Sequence, residues 1–166
     1  MKISMEIRDA VPEDWPAIWP FFREIVRAGE TYTYPRDTDE EFGRVLWMLA
    51  PPGRTVVAVD ADGTVLGSAK MNPNQMGPGS HVASASFMVD PAARGRGVGR
   101  ALGEHVLAWA RAEGYRSMQF NAVVESNTHA VALWKSIGFE VVGTVPGAFH
   151  HPELGDVGLH VMYQRL

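Results

Sequence analysis

The chain contains no cysteine, which excludes disulfides, thiolate metal sites and a cysteinyl acyl intermediate, so any acyl transfer it performs is direct. It has no apolar run approaching the ~20 residues that span a bilayer, and its first residues lack a charged-then-apolar secretory pattern. A cytoplasmic protein with no membrane partner is the expectation. A basic excess is missing too: 15 Lys plus Arg stand against 19 Asp plus Glu, a net charge of -4, so no global field attracts nucleic acid. No internal repeat stands out. What the chain does have is 46% hydrophobic and 20% charged residues over 166 positions, an ordinary globular balance that suits a single domain across residues 1–166.

The most informative stretch runs from Val89 to Arg100. An apolar run, Ala85 to Val89, ends at Asp90-Pro91, where proline cannot continue a ladder. A helical pattern then places Ala101, Leu102, Val106, Trp109 and Ala110 on one face. The junction is strand, glycine-rich turn, helix. Gly95, Gly97 and Gly99 let main-chain N–H groups approach a ligand, with Val98 among them a cofactor-binding candidate, and the helix N-terminus adds free donors and partial positive charge. Such a site suits a phosphate, and Arg94, Arg96 and Arg100 around it suit a diphosphate. No Gly-Lys-Ser/Thr closes the turn as in a P-loop, and no G-x-G-x-x-G precedes a ribose-binding acid.

Val89-Asp90-Pro91 followed by Arg94-x-x-Gly97-x-Gly99 resembles the acetyl-CoA signature of the GCN5-related N-acetyltransferases. Asn127, Ala130, Leu133 and Ile137-Gly138-Phe139 resemble the second signature of the same superfamily, in the expected order. Phe120-Asn121, Ser126-Asn127, Trp134-Lys135, Gly138-Phe139 and Gly143-Thr144-Val145-Pro146 are similar to the yeast-type acetyltransferases of proline analogues such as azetidine-2-carboxylate. Gly29-Glu30-Thr31-Tyr32 and Asn72-Pro73-Asn74 add to that similarity.

Reading from the start, Ile3 to Arg8 alternates as a strand, and a helix starts in Asp9–Asp14 and runs to about Ala28, with Gly29 as its stop. Glu30 to Asp37 is a loop carrying Tyr32 and Tyr34. A second helix spans Thr38 to about Leu49, capped by Thr38 with Glu41 at capping-box spacing and buried through Phe42, Val45, Leu46 and Leu49. Thr55–Asp60 and Val65–Met71 are strands joined by an Asp62-Gly63 hairpin. Asn72–Ser80 is a loop and His81–Val89 the strand entering the glycine turn. Ser117–Val123 is a strand, Asn127–Ile137 a helix, and Glu140–Val145 and Val157–Gln164 the last strands. The order βααβββαβαββ makes a mixed α/β (α+β) fold of about seven strands and four helices. The resemblance implies that the strands at His81–Val89 and Ser117–Val123 are parallel neighbours that splay apart around the cofactor's pantetheine arm.

Amine attack on a thioester needs a neutral nucleophile, a polarised carbonyl and a proton for the leaving thiolate. The resemblance implies acetyl-CoA as cosubstrate, met by main-chain groups of Phe87, Met88 and Val89, with the Met88 N–H polarising the carbonyl. It also implies a cofactor contact for Asn127, itself a candidate N-cap, while Lys135 is a solvated helix residue or a phosphate partner. Trp134 stands where many members carry a tyrosine acid, and the glutamate common on the cofactor strand is absent, leaving Ser84 and Ser86. His81, Glu30, Glu125 and His150 are the ionisable candidates for a base, which is dispensable if the amine arrives neutral. Asn121, with Tyr32 or Tyr34, is the candidate for holding the acceptor. His150-His151 are adjacent on an extended loop, so their rings point apart, and no metal is expected. The expected activity is acetylation of a small-molecule amine, an amino acid or toxic analogue. A protein N-terminus or lysine as acceptor, and a non-catalytic CoA sensor, are the alternatives, and homodimer formation is left open.

Overall fold

The computed structural model describes residues 4–166. Strand β1 (Met5–Asp9) leads through a 3-10 turn to α1 (Trp15–Ala28), which ends where Gly29 turns left-handed at φ 68°. Ile3, in the expected first strand, lies outside the described residues. The remaining elements are α2 (Glu40–Trp47), β2 (Arg54–Asp60), β3 (Val65–Pro73), β4 (Val82–Val89), α3 (Val98–Ala112), β5 (Ser117–Val124), α4 (Thr128–Ser136), β6 (Glu140–His151) and β7 (Gly155–Arg165). Their order is the βααβββαβαββ of the sequence reading.

All the strands form one seven-stranded sheet, β1-β2-β3-β4-β5-β7-β6. Every pairing is antiparallel except β4 with β5, which are parallel and meet only at Val82–Ser117 and Ala83–Met118 before parting. Beyond Ala83 the sheet is open at its centre. Both faces are covered, which explains the unbroken apolar run of β2: Val56 and Ala58 enter one cluster with α3, and Val57 and Val59 enter another with α1 and Trp47.

The helix at α2 departs from the sequence reading. Asp39, not Thr38, is its cap, its carboxylate accepting the Phe42 N–H at 2.8 Å, while the Thr38 hydroxyl donates to the Pro35 carbonyl. The helix also presents Gly43 and Trp47 inward, leaving Phe42 and Val45 exposed. The reason is close packing: a Cβ at Gly43 would lie 3.0 Å from Phe22 and 3.1 Å from Trp19, so the glycine face is the one that approaches α1. At the other end β6 continues through His150 and His151, which sit in a strand rather than a loop.

Candidate active site

Strand β4 divides its peptide groups between two neighbours. The Asp90 N–H donates to the Leu66 carbonyl at 2.9 Å and the Asn74 N–H to the Val82 carbonyl at 2.7 Å. The unbroken register between them pairs Ser68 with Met88 and Lys70 with Ser86. Even-numbered residues of β4 therefore bond to β3, and the peptides of Ala85, Phe87 and Val89 face the opening that β5 leaves. Met88 does not offer its N–H to the cleft: that group points at β3, and its side chain, 2% exposed, packs with α1. The cleft-facing donors nearest to it are those of Phe87 and Val89, one residue to either side. Tyr32 meets the first of them: the Phe87 N–H donates to its hydroxyl at 3.0 Å, and that hydroxyl donates to the Phe87 carbonyl.

At the end of β4 the Asp90 carboxylate accepts the Ala92 N–H, and the chain turns through Gly95 at φ 76° and Gly97 at φ 79°, conformations that side chains resist. A Cβ at either would meet nothing within 4 Å, so the outer face of the turn is open. Gly99 has a different use: a Cβ there would lie 3.2 Å from Leu133, so its absence lets α4 approach α3. Val98 turns its side chain into the core, leaving its N–H to the turn. Of the three arginines, Arg94 lines the central cavity, Arg96 is exposed, and Arg100 bonds the Ser136 hydroxyl at 2.8 Å and lies 3.5 Å from Glu104. Open glycine backbone, a helix N-terminus and Arg94 form a cradle whose chemistry fits a diphosphate.

The cavity, about 330 Å³, joins this cradle to the far side of the sheet through the gap between β4 and β5. Tyr32, Tyr34, Ser84, Ser86, Asn121 and Trp134 help to line it. The two tyrosines stack with ring centres 5.4 Å apart; burial pushes Tyr34 up to about 12 and Tyr32 higher still, so both remain hydroxyl donors at neutral pH. Asn121 sits where the β5–β7 register shifts. Its amide donates to Asn74 Oδ1 at 2.6 Å and accepts from Gln119 at 2.9 Å, so the protein orients it. Asn127 lines the cavity and also caps α4, accepting the Ala130 N–H at 3.4 Å. Trp134 packs 4.6 Å from Phe87 and 5.2 Å from Phe120, an apolar wall without an acidic hydroxyl.

Several expected groups stand elsewhere. Lys135 is exposed in the last turn of α4, outside the cavity. None of Glu30, His81, Glu125 and His150 lines it, and no carboxylate or imidazole does among the described residues. His150 pairs with Asp156 at 2.9 Å, and His151 Nδ1 accepts the N–H groups of Glu153 and Leu154 at 3.1 and 3.2 Å, a structural turn clasp. One group escaped the sequence reading. Lys70 of β3 donates to the Leu46 carbonyl at 2.8 Å beneath Tyr34, and burial lowers it to about 8. Its signal was a lone charge inside the run Val65–Met71.

A central parallel pair that parts beside a glycine-shaped helix N-terminus, with β4 peptides turned to the gap without a strand partner, defines the class as the fold of coenzyme A-dependent acyltransferases. The chain belongs to the acetyltransferase (GNAT) family, whose pattern residues 18–139 match. It is 65% identical to a GCN5-related N-acetyltransferase from Kribbella flavida, with a TM-score of 0.95 over 98% of both chains. With yncA from Salmonella typhimurium, solved with its cofactor acetyl-CoA, it shares 26% identity and a TM-score of 0.84 over 98% of this chain and 94% of that one. N-acetyltransferase aca1 of Schizosaccharomyces pombe is 31% identical over 97 residues, 58% of this chain and 46% of that protein. The chain thus spans about half the length of that curated relative.

Proposed function

We propose that this protein transfers acetyl from acetyl-CoA directly to the amine of a small molecule, an amino acid or a toxic amino-acid analogue. The observation that carries the reading is the cavity through the parted strands, roofed on its acceptor side by the Tyr32–Tyr34 loop and by the Asn74–Asn121 bond. That volume, about 330 Å³, also has to take the pantetheine arm, so the share left to the acceptor suits a compact molecule better than a peptide strand. The similarity of the Phe120-Asn121 and Gly143–Pro146 strings to acetyltransferases of proline analogues points the same way, toward detoxification of such compounds.

Bound acetyl-CoA supplies an activated thioester carbonyl. The turn from Arg94 to Arg100, with the first N–H groups of α3, holds the diphosphate, and the peptides of Phe87 and Val89 hold the pantetheine arm. Asn127 borders the same channel. The Phe87 N–H polarises the carbonyl once the Tyr32 hydroxyl yields it. Asn121 and Tyr34 orient the acceptor. With no carboxylate or imidazole in the lining among the described residues, the amine arrives neutral and the protein's contribution is placement.

The test is thiol release from acetyl-CoA across free amino acids, azetidine-2-carboxylate, phosphinothricin and short peptides, repeated with Asn121→Ala. Turnover of one small amine, reduced about tenfold or more in the variant while acetyl-CoA still binds, is expected. Release with peptides alone would move the acceptor to a protein N-terminus or lysine. Binding without release would leave a sensor domain, the reading that Trp134 in place of a tyrosine acid favours.

A further inference from the structure

Strand β3 carries a positive charge into an apolar setting. Lys70 lies between Ala69 and Met71, both 0% exposed, and is itself half-buried. Its ammonium has three donors. One goes to the Leu46 carbonyl at 2.8 Å, and the rings of Tyr34 and Trp47 stand 5.3 and 5.6 Å from Nζ, a weak electrostatic partnership. Among the described residues no carboxylate lies within 4.0 Å of it, since the ion pairs there all involve other cations. A partly desolvated ammonium without a counter-ion is costly, and methionine would fill the same space without that cost.

The surroundings say where a counter-ion would come from. Lys70 is directly opposite Ser86 in the β3–β4 ladder, as a hydrogen-bonded pair with Cα atoms about 5.5 Å apart. Their side chains share the sheet face on which α1 and α2 lie, and Ser84 is the next β4 residue on that face. Ser84, Ser86 and Tyr34 line the cavity, and Lys70 stands one layer behind them rather than in the lining, its Nζ 5.3 Å from the Tyr34 ring, while Arg94 lies beyond Val89 at the cradle. No acidic side chain of the lining neutralises Lys70.

We propose that Lys70, with the Ser86 hydroxyl beside it, binds a carboxylate of the acceptor, so that the substrate is a free amino acid or an analogue that keeps its acid group. This rests on the small-amine reading above and narrows it. Ser86 immediately precedes Phe87, so a carboxylate held at Lys70 and Ser86 places an amine one carbon away beside the peptide that polarises the carbonyl. A plain amine leaves Lys70 unpaired. A peptide N-terminus does the same, because its neighbouring carbonyl belongs to an amide and carries no charge.

The experiment compares each amino acid of the acceptor panel with its own carboxamide, using the whole protein and the variants Lys70→Met and Lys70→Arg. Steady-state thiol release gives KM and kcat, calorimetry gives the acetyl-CoA Kd, and thermal melting reports folding. The wild type is expected to favour the acid over the amide by about tenfold or more in kcat/KM. Lys70→Met should erase that preference through KM while the acetyl-CoA Kd stays within about twofold, and Lys70→Arg should restore part of it. Equal losses for acid and amide in Lys70→Met would reduce Lys70 to a strut between β3 and the Leu46 carbonyl, overturning the inference. So would a wild type indifferent to the acid group, a result that stands even if Lys70→Met fails to fold. Turnover of plain amines as readily as acids overturns this inference alone, whereas turnover of peptides only, or of nothing, overturns the small-amine reading with it.

Discussion

At the scale of single residues, Tyr32 has two roles in opposition. Its hydroxyl meets both main-chain polar groups of Phe87, including the N–H that the cofactor needs. Removing the hydroxyl therefore removes a competitor. Tyr32→Phe is expected to bind acetyl-CoA about fivefold more tightly, the equivalent of one hydrogen bond of ~1 kcal/mol, while raising the acceptor KM. Titration calorimetry of the variant decides it, and unchanged or weaker cofactor binding would remove Tyr32 from the site. The glycines of the turn show a comparable division of labour, with Gly95 and Gly97 supplying left-handed backbone and Gly99 supplying closeness between α3 and α4.

At the scale of elements, the joint between β1 and α1 rests on one charged contact. Arg8 meets the Asp14 carboxylate in a forked pair at 2.8 and 2.9 Å, and the same carboxylate accepts the Val11 N–H at 2.8 Å. The bond from Arg8 holds the Asp14 carboxyl below its usual value. A carboxyl depressed in the folded state binds its proton more readily in the unfolded chain. Its contribution is thus fully present above the unfolded value of 3.8 and is lost as pH falls through the lower folded value. Asp14→Asn is expected to cost about 2 kcal/mol at pH 7 and progressively less below pH 4, measured as urea midpoints. A constant cost across that range would assign the effect to packing. The α2 helix is the counter-example, where apolar contact through Gly43 and Trp47 decides orientation and leaves Phe42 and Val45 outside.

At the scale of the whole molecule, the sheet brings a cradle on one face and an acceptor region on the other to a common gap, and among the described residues the polar side chains lining that gap are hydroxyls, amides and the Arg94 guanidinium. Below pH 7.5, where Lys70 at about 8 stays largely charged, the protonation that varies is then the acceptor's own. Between pH 6 and 7.5, kcat/KM is expected to rise about tenfold per pH unit for amines with pKa above that range, and to level off earlier for weaker bases. A fixed inflection shared by all acceptors would reveal a titrating protein group in the lining. The sequence by itself determined the element order, the strand–turn–helix cradle and the Asn127 cap, because these rest on proline, glycine and capping chemistry acting over a few neighbours. Only the tertiary structure decided which β4 peptides face the cleft, since register alternates every residue and a shift from Met88 to Phe87 leaves the motif unchanged. Tertiary structure likewise turned Arg100 toward Ser136, and it set Lys70 behind the Ser86 and Tyr34 wall of the cavity, through strand pairing and packing that link residues far apart in the chain.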